Sequence, residues 1–503
     1  MRGDPTPHPA AVLGAVCAAE PERVTIRRVV RNRTFSISRT RGAGEGLAER
    51  EGFAARAELP PGPRMPSALQ AVGWALRPLP FLEGCAKRYG ERFTLRVRRG
   101  SPWVVLSDPE DVRLVFTADA DTQRPTAVEA NPALGPLLGP RSVMLLDEPE
   151  HMRHRKLMLP CFHGERMGAY GEMVAGVARR EMASWPVGER FALWPRMQAI
   201  SSEVLMRSVF GNVDGERLQR LREQLKRLTA WLNDPRRLAL TTTLGPHWLT
   251  RSAGLRAVME PVEATVLEKV RERRAAPEAM EGDDMLAMLE RAYERSGAPM
   301  DDRELRDELI TLLSDGPTST SLAWAFERLL RHPEKLGRLR EEVLAGEDDA
   351  YSEAVVKETL RLCPVVPLIM RGLLAPLALD GCTIPAGATV APSPYLIHRR
   401  EDIYPSARAF LPERFLGQSA PAYAWIPFGG GVRRCIAASF AQLTIKRVIQ
   451  TVLSEVELRA VSAAGSEGAT RSSVAFVPDQ AALAIVTRRT PLAAVGSQAL
   501  PVP

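Results

Sequence analysis

One cysteine of this 503-residue chain lies among residues that favour a reactive or metal-binding sulfur. Cys435 lies in PFGGGVRRCIAASFAQLTIKR, residues 427–447, with glycines 429–431 and the cations of Arg433 and Arg434 before it and an amphipathic pattern after it. Glycines let the backbone approach closely, and N–H groups, cations and a helix N-terminus stabilise a thiolate. We therefore expect a thiolate at the start of a helix, the alternative being a buried free thiol.

Four positions of this stretch match a longer pattern. Phe428, Gly431, Arg433 and Cys435 fit F-x-x-G-x-R-x-C, and on these residues the chain resembles the cytochromes P-450, in which this loop binds haem. The resemblance implies that Cys435 is the axial thiolate ligand of the iron of haem b and donates electron density that favours O–O cleavage. The family usually has glycine two residues after the ligand, where this chain has Ala437. Alanine is small enough to let the helix pack close under the porphyrin.

A second motif lies upstream, in KETLRLCP. Glu358 and Arg361 are three residues apart, so on a helix they share a face and can form an ion pair. Alone, this spacing usually marks a solvated helix face. Together with Arg414 of FLPERF it resembles the family's buried Glu-Arg-Arg network, whose disruption leaves a buried charge unpaired at a cost of about 3–5 kcal/mol.

Haem also brings two propionates, which need hydrogen-bond donors in a partly dry site. The stretch EPEHMRHRKLMLPCFHG resembles the family helix that supplies such donors, with His151 and Arg155 one turn apart. Arg371 and His398 match later propionate-binding positions, and Arg433 completes the set. Taken singly, each of these residues is more often a surface charge.

The stretch LLSDGPTSTSLAWAFERLL, from Leu312, departs from the family. There, a segment like A-G-x-(D/E)-T-(T/S) relays protons to iron-bound dioxygen. Without gaps, Gly316 and Pro317 take the acid and alcohol positions; with one deletion, Gly316 matches the motif's glycine and Thr318 its threonine. Pro317 has no N–H, so the helix should open or kink there. The candidates for proton delivery are Ser314, Asp315, Gly316, Pro317 and Thr318, with bound water or a substrate hydroxyl.

These residues must be positioned by a mostly helical chain. Apolar periodicity predicts helices over 304–331, 353–362 and 436–453, and short β-like pieces occur at 102–108 and 381–390. The resemblance implies a mainly α fold with small β-sheets (α+β), a triangular prism with a long central helix and a buried haem.

The same reading divides the chain into three parts. We expect one catalytic domain over residues 59–490, a disordered or non-native extension over 1–58 and a flexible tail over 491–503.

Composition narrows the class of protein. No run of about 18 apolar residues occurs, so we expect no transmembrane anchor. The net charge of +7 comes from 60 arginines and 7 lysines scattered among 60 acids, which indicates a compositional habit more than a nucleic-acid surface. Six cysteines without paired spacing suit a reducing compartment. We expect a cytoplasmic bacterial protein that is a monomer and binds no nucleic acid.

The resemblance implies a monooxygenase that inserts one oxygen atom from O2 into a lipophilic substrate (a fatty acid, terpenoid or polyketide-like molecule) by hydroxylation or epoxidation. Electrons would come from NAD(P)H through a separate ferredoxin or flavodoxin and its reductase. Family position suggests an acidic partner docking on a basic face: Arg153, Lys156, Arg434, Lys446 and Arg447. The substrate-contact candidates are apolar: Leu313, Val366, Pro367, Leu368, Ile369, Phe476 and parts of 122–146.

Two alternatives stay open at this point. Pro317 also suits a peroxide-dependent peroxygenase or an oxygen-independent haem-thiolate isomerase, because some family peroxygenases carry proline at the alcohol position. Those enzymes have an arginine before the proline, which Gly316 does not reproduce. The second alternative is a non-catalytic haem-binding protein that kept the fold.

Overall fold

The computed structural model describes residues 59–489 apart from 98–100, 118–124, 127–133, 165, 212–214, 235, 238–246, 276–281, 298–299, 315, 347, 463–464, 466 and 473–474. The described residues belong to one compact unit. The predictions for 1–58 and 491–503, the proton-delivery candidate Asp315 and much of 122–146 fall outside them.

Helices dominate the described chain. They are α1 (Ser67–Leu76), α2 (Pro78–Tyr89), α3 (Pro109–Thr117), α4 (Gly135–Leu138), α5 (Glu150–Met158), α6 (Arg166–Met182), α7 (Leu193–Phe210), α8 (Glu216–Leu232), α9 (His247–Arg251), α10 (Ala253–Arg274), α11 (Met285–Arg295), α12 (Asp302–Leu313), α13 (Pro317–Arg331), α14 (Pro333–Ala345), α15 (Ala350–Leu362), α16 (Pro394–Ile397) and α17 (Ala438–Glu455). No helix among these residues combines the length and the apolar composition that crossing a bilayer requires.

The strands are short and form small sheets. They are β1 (Arg92–Leu95), β2 (Trp103–Leu106), β3 (Pro125–Thr126), β4 (Arg190–Ala192), β5 (Arg371–Leu373), β6 (Leu377–Leu379), β7 (Cys382–Ile384), β8 (Thr389–Pro392), β9 (Val456–Ala460), β10 (Ala469–Ser472), β11 (Ala475–Pro478) and β12 (Leu483–Arg489). One sheet has the order β1-β2-β8-β5-β3, another β4-β12-β9, and β6-β7 and β10-β11 are hairpins. Among the strand pairs of the described residues, β2 and β8 pair in parallel and the others are antiparallel. This mixture confirms the prediction of a mainly helical fold with small sheets.

The predicted helix over 304–331 is two helices, so that prediction is wrong in one respect. Asp301 and Glu304 form a capping box that starts α12, which ends at Leu313. The second helix, α13, starts with Pro317 at its first position, where a missing N–H costs nothing. The interruption confirms the expectation that the chain opens at Pro317.

Helix α13 lies at the centre of the core. It packs against α7, α15, α17 and β11, and its residues Ala323, Phe326 and Leu329 are completely buried. The apolar stripe of α17, which includes Val448 and Val452, belongs to the same cluster. Because α15 and α17 carry the two predicted motifs, this core fixes both of them relative to α13.

Candidate functional site

The loop before α17 has the close packing that its glycines predict. Gly429 and Gly431 have φ values of +71° and +65°, in the region that favours glycine. A Cβ on Gly430 would lie 2.2 Å from the ring of Phe116, and one on Gly431 would lie 2.1 Å from the backbone oxygen of that residue. The N–H of Cys435 donates to the oxygen of Phe428 at 2.9 Å and closes the loop. The loop is thus seated on α3 and presents one thiol.

Cys435 is accessible and yet closely surrounded by protein. Its side chain is exposed to a water-sized probe, and yet burial raises its pKa because protein surrounds it. The N–H of Ala437 bonds the sulfur, and the charges of Arg434 and Arg155 favour the thiolate, so both predicted stabilisers act there. They do not outweigh burial, and a metal ion that coordinates a thiol removes its proton outright. Helix α17 starts at Ala438, two residues later than predicted, with Ala437 as its N-cap.

Three arginines near the thiol have little or no neutralising partner. Arg155 is close enough to Cys435 for their charges to interact, and no carboxylate in the described chain pairs with it. Burial, helped by the charge of Arg433, lowers the pKa of Arg371 to about 10, and the guanidinium bonds only the oxygen of Met370. Arg433 donates to the oxygen of Leu146 at 2.8 Å.

The carboxylate nearest to Arg433, that of Asp147, lies 3.8 Å away and is more than half exposed. Buried cations of this kind call for an anion. The anion that the three arginines lack is of the kind that a pair of propionates would supply.

The two predicted histidine donors differ in their surroundings. His151 is buried, and its Nδ1 lies 2.7 Å from Oε1 of Glu148. Burial and the nearby charge of Arg433 lower the pKa of His151. Its Nε2 makes no bond within the described chain and can serve an anion beside Arg433.

His398, the other predicted propionate donor, lies among backbone partners in the described chain. Its Nε2 accepts from the N–H of Ile426 at 2.9 Å, so its Nδ1 carries the proton and donates to the oxygen of Arg361 at 3.0 Å. With both nitrogens engaged by backbone and the ring fully buried, His398 joins two segments of the core.

The Glu-Arg-Arg network forms as predicted. Arg361 donates to both carboxylate oxygens of Glu358 at 2.7 and 2.8 Å, and neither side chain is exposed. Arg361 also donates to the backbone oxygens of His398, Ala407 and Ala409. Arg414 reaches Glu358 at 3.2 Å. The network therefore joins α15 to the segment that leads into the cysteine loop.

The break between α12 and α13 rearranges the proton-delivery candidates. The hydroxyl of Ser314 donates to the oxygen of Ile310 at 2.9 Å, and the oxygen of Gly316 accepts from the N–H of Thr320 and the hydroxyl of Ser319. Thr318 is half-buried, and its hydroxyl makes no hydrogen bond within the described chain. Among the candidates that the structure describes, Thr318 has a hydroxyl without a partner in the described chain, so it can hold a proton.

The predicted substrate-contact residues fall into two groups. Val366 is 36% exposed, and Ile369 is half-buried, with its Cδ1 3.7 Å from where a Cβ of Gly429 would lie. The others are buried: Leu313, Pro367, Leu368 and Phe476. Leu313 and Leu368 belong to packed apolar clusters. Val366 and Ile369 are thus the accessible apolar residues of the set.

A buried pair that the sequence does not indicate joins α5 to α12. Nδ1 of His154 lies 2.8 Å from Oε1 of Glu308, and both side chains are buried. Burial raises the pKa of the Glu308 carboxyl. Because 154 residues separate the partners, no local spacing could have indicated the pair.

Haem requires a thiolate ligand, cations or donors for two propionates and an apolar surround. Cys435 supplies the first, and Arg155, Arg371, Arg433 and His151 supply donors, of which Arg155 and Arg371 have no carboxylate partner in the described chain. Phe428 and Ile369 provide apolar surface next to the loop. The residues present therefore fit haem, and the fold and the site define a haem-thiolate protein.

Comparison with known proteins agrees with that class. The family model for Cytochrome P450 matches residues 59–479. The chain is 38% identical over 417 residues to cytochrome P450 135B1 of Mycobacterium tuberculosis, covering 81% of this chain and 87% of that protein. It is 34% identical over 436 residues to cytochrome P450 138 of the same organism, covering 86% and 97%. The chain belongs to the cytochrome P450 family, which makes it a haem-containing monooxygenase.

A solved structure shows the same fold. The retinoic-acid-bound cyanobacterial CYP120A1 superposes with a TM-score of 0.73 at 20% sequence identity, over 86% of this chain and 100% of that chain. At this identity the likeness speaks for the fold alone, and it confirms the predicted cytochrome P450 architecture.

Proposed function

We propose that this cytochrome P450 inserts one oxygen atom from O2 into a lipophilic molecule, a fatty acid, terpenoid or polyketide-like compound, by hydroxylation or epoxidation. The observation that carries the proposal is the accessible Cys435 in its glycine loop, together with three arginines of the predicted haem site, of which Arg155 and Arg371 have no carboxylate partner within the described chain. The accessible apolar side chains of Val366 and Ile369, which follow α15, favour an apolar ligand.

Each group of residues in the site would have its own role in the reaction. Haem, when bound, supplies the activation of dioxygen and the transfer of one oxygen atom. The sulfur of Cys435 would hold its iron, and the guanidinium groups of Arg155, Arg371 and Arg433 would neutralise its propionates. The Glu358 network holds the loop in place. The hydroxyl oxygen of Thr318 would hold and pass the proton that the reaction consumes.

Electrons would come from NAD(P)H through a ferredoxin or flavodoxin and its reductase. Of the predicted basic docking residues, Lys156 and Arg434 are exposed. The other three pair with acids: Arg153 with Glu150, Lys446 with Asp349 and Glu353, and Arg447 with Glu172. The docking surface is thus less basic than the sequence implies, and we centre the proposed contact on Lys156 and Arg434. The cytoplasmic location and the monomeric state remain predictions.

The test is a screen of purified haem-loaded protein with lipophilic compounds, read by the shift of the iron spin state, followed by turnover. We expect product with NAD(P)H, ferredoxin and reductase in air, and none with hydrogen peroxide alone. Turnover with peroxide only would replace the monooxygenase proposal with a peroxygenase. Failure to turn over a broad panel with either oxidant would favour a non-catalytic haem protein.

One observation favours the peroxygenase as the second candidate. The helix interruption ends at Pro317, so the position that the ungapped comparison assigns to the family's alcohol has no hydroxyl and no N–H. Hydrogen peroxide already carries the protons that an O2-dependent enzyme must deliver to dioxygen. A peroxide-dependent enzyme would therefore depend less on the Thr318 hydroxyl. The ratio of the two turnover rates decides between the candidates.

A further inference from the structure

Arg471, on strand β10, carries a charge that the protein leaves uncompensated. Its Nε and Nη1 are fully buried and have no hydrogen-bond partner within the described chain. Among the described residues, no acidic side chain is near enough to offset the burial that lowers the pKa of Arg471. A buried cation without an anion or a full set of acceptors is strongly unfavourable. An arginine in this setting calls for a ligand that supplies the missing hydrogen-bond acceptor.

The surroundings of Arg471 are aromatic and apolar. Its guanidinium carbon lies 5.5 Å from the ring centroid of Trp74, which meets Trp103 edge-on at 5.7 Å. Trp74 belongs to the same apolar cluster as Leu368, one of the predicted substrate-contact residues. The cation therefore lies at the edge of an apolar region and away from other ionic groups.

The β10-β11 hairpin relates Arg471 to a second predicted substrate contact. Arg471 is directly opposite Phe476 in the antiparallel register, so the two side chains share one face of the hairpin. The hairpin is anchored at both strands: Nε1 of Trp324 donates to the oxygen of Phe476 at 2.7 Å, and the hydroxyl of Ser472 donates to Oδ1 of Asn233 at 2.9 Å. These bonds hold both strands of the hairpin that carries Arg471 in place.

We propose that the substrate carries a carboxylate and that Arg471 binds it, while its apolar part extends along the face shared with Phe476. The guanidinium of Arg471 can donate a charge-assisted hydrogen bond to a carboxylate oxygen, the kind of contact that arginine favours. The aromatic surroundings suit the carbon chain of the same molecule. This inference rests on the proposed oxidation of a lipophilic substrate and narrows it to lipophilic acids.

The experiment compares chain-matched probes on the haem-loaded full-length protein. Dodecanoic acid and dodecan-1-ol are titrated at pH 7.5 and the Kd is read from the spin-state shift. We expect the wild type to bind the acid at least about tenfold more tightly than the alcohol, the scale of one charge-assisted contact. In Arg471→Met this preference should vanish while the Kd of the alcohol stays within about threefold, and Arg471→Lys should keep part of it.

A matched control is Arg459→Met, which removes the same charge from an exposed site on β9 and should leave the acid preference unchanged. Haem content and melting temperature show whether each variant is folded. If Arg471→Met does not fold, the ratio of the Kd values for acid and alcohol in Arg471→Lys provides the test. Equal Kd values for acid and alcohol in the wild type, or an unchanged ratio in the folded variants, would overturn this inference alone. No shift with either probe or with longer acids and alcohols would overturn it together with the lipophilic-substrate proposal.

Discussion

The cysteine loop and the break between α12 and α13 differ in how many contacts fix them. The loop is seated on Phe116 and closed by a backbone bond to Phe428, and the segment before it is bonded to the buried Glu358 through Leu411 and Arg414. At the break, the hydroxyls of Ser314 and Ser319 bond nearby backbone oxygens, and Thr318 has no partner in the described chain. The region that would hold the cofactor is thus fixed by several independent contacts. The region that would deliver protons has fewer contacts, and its Thr318 side chain is free to change partners.

The largest expected effect is at the ligand. Cys435→Ser should abolish the red-shifted Soret band of the reduced carbon monoxide complex and reduce turnover to background, because the thiolate is gone. The control is Cys382→Ser, a half-buried thiol on β7, which should keep both. A variant without Cys435 that still showed the thiolate band would mean that another group is the ligand.

The network should be the next most sensitive feature. Glu358→Gln leaves Arg361 and Arg414 without a carboxylate in a buried site, so the free energy of unfolding should fall by about 3–5 kcal/mol. Glu353→Gln, on the same helix and half exposed in its pair with Lys446, should change it by less than about 1 kcal/mol. Denaturant unfolding of both variants measures the difference. Equal effects would show that the buried pair contributes no more than a surface pair.

The next largest effect is expected at the break between α12 and α13. Thr318→Val removes the free hydroxyl, so product formed per NAD(P)H consumed should fall by about 10²-fold, the scale of one positioned proton donor. Thr318→Ser should restore most of the product. Thr451→Val, which deletes a hydroxyl bonded to the oxygen of Arg447 on α17, should have no such effect. Unchanged coupling in Thr318→Val would assign proton delivery to water or to the substrate.

The smallest effect is a pH dependence of stability. Burial and the neighbouring Arg361 hold the pKa of His398 well below its usual value, so the folded ring stays neutral while an unfolded chain takes up a proton near pH 6.5. Stability should therefore fall as pH drops below about 6.5, by up to about 1.4 kcal/mol per pH unit. Melting temperatures at pH 7.5 and 5.5 should differ more in the wild type than in His398→Gln. His163→Gln, at an exposed position, should keep the wild-type difference.

The cysteine loop and the Glu358–Arg361 pair could be predicted because they depend on residue types at short spacings, whereas Arg414, 56 residues from Glu358, was implied by the family resemblance. Phe428 to Cys435 and Glu358 to Arg361 each lie within about two turns of chain, where backbone geometry alone decides which side chains meet. The opening at Pro317 was predictable for the same reason, since a missing N–H is a local property. The family itself, and with it the haem, also followed from these motifs.

The tertiary structure decided the features that depend on distant parts of the chain. His398 was expected at a propionate, but the N–H of Ile426 and the oxygen of Arg361 take its nitrogens, and no local pattern reports such partners. The His154–Glu308 pair likewise depends on how distant segments pack. In the sequence, nothing distinguishes Arg471 from the other arginines among the 60. The folded structure distinguishes it, because two of its nitrogens are buried without a partner in the described chain and its guanidinium lies beside Trp74. Burial and pairing are properties of the packed core, so the residue sequence determined the cofactor and the fold, and the packing decided which charges are left for a ligand.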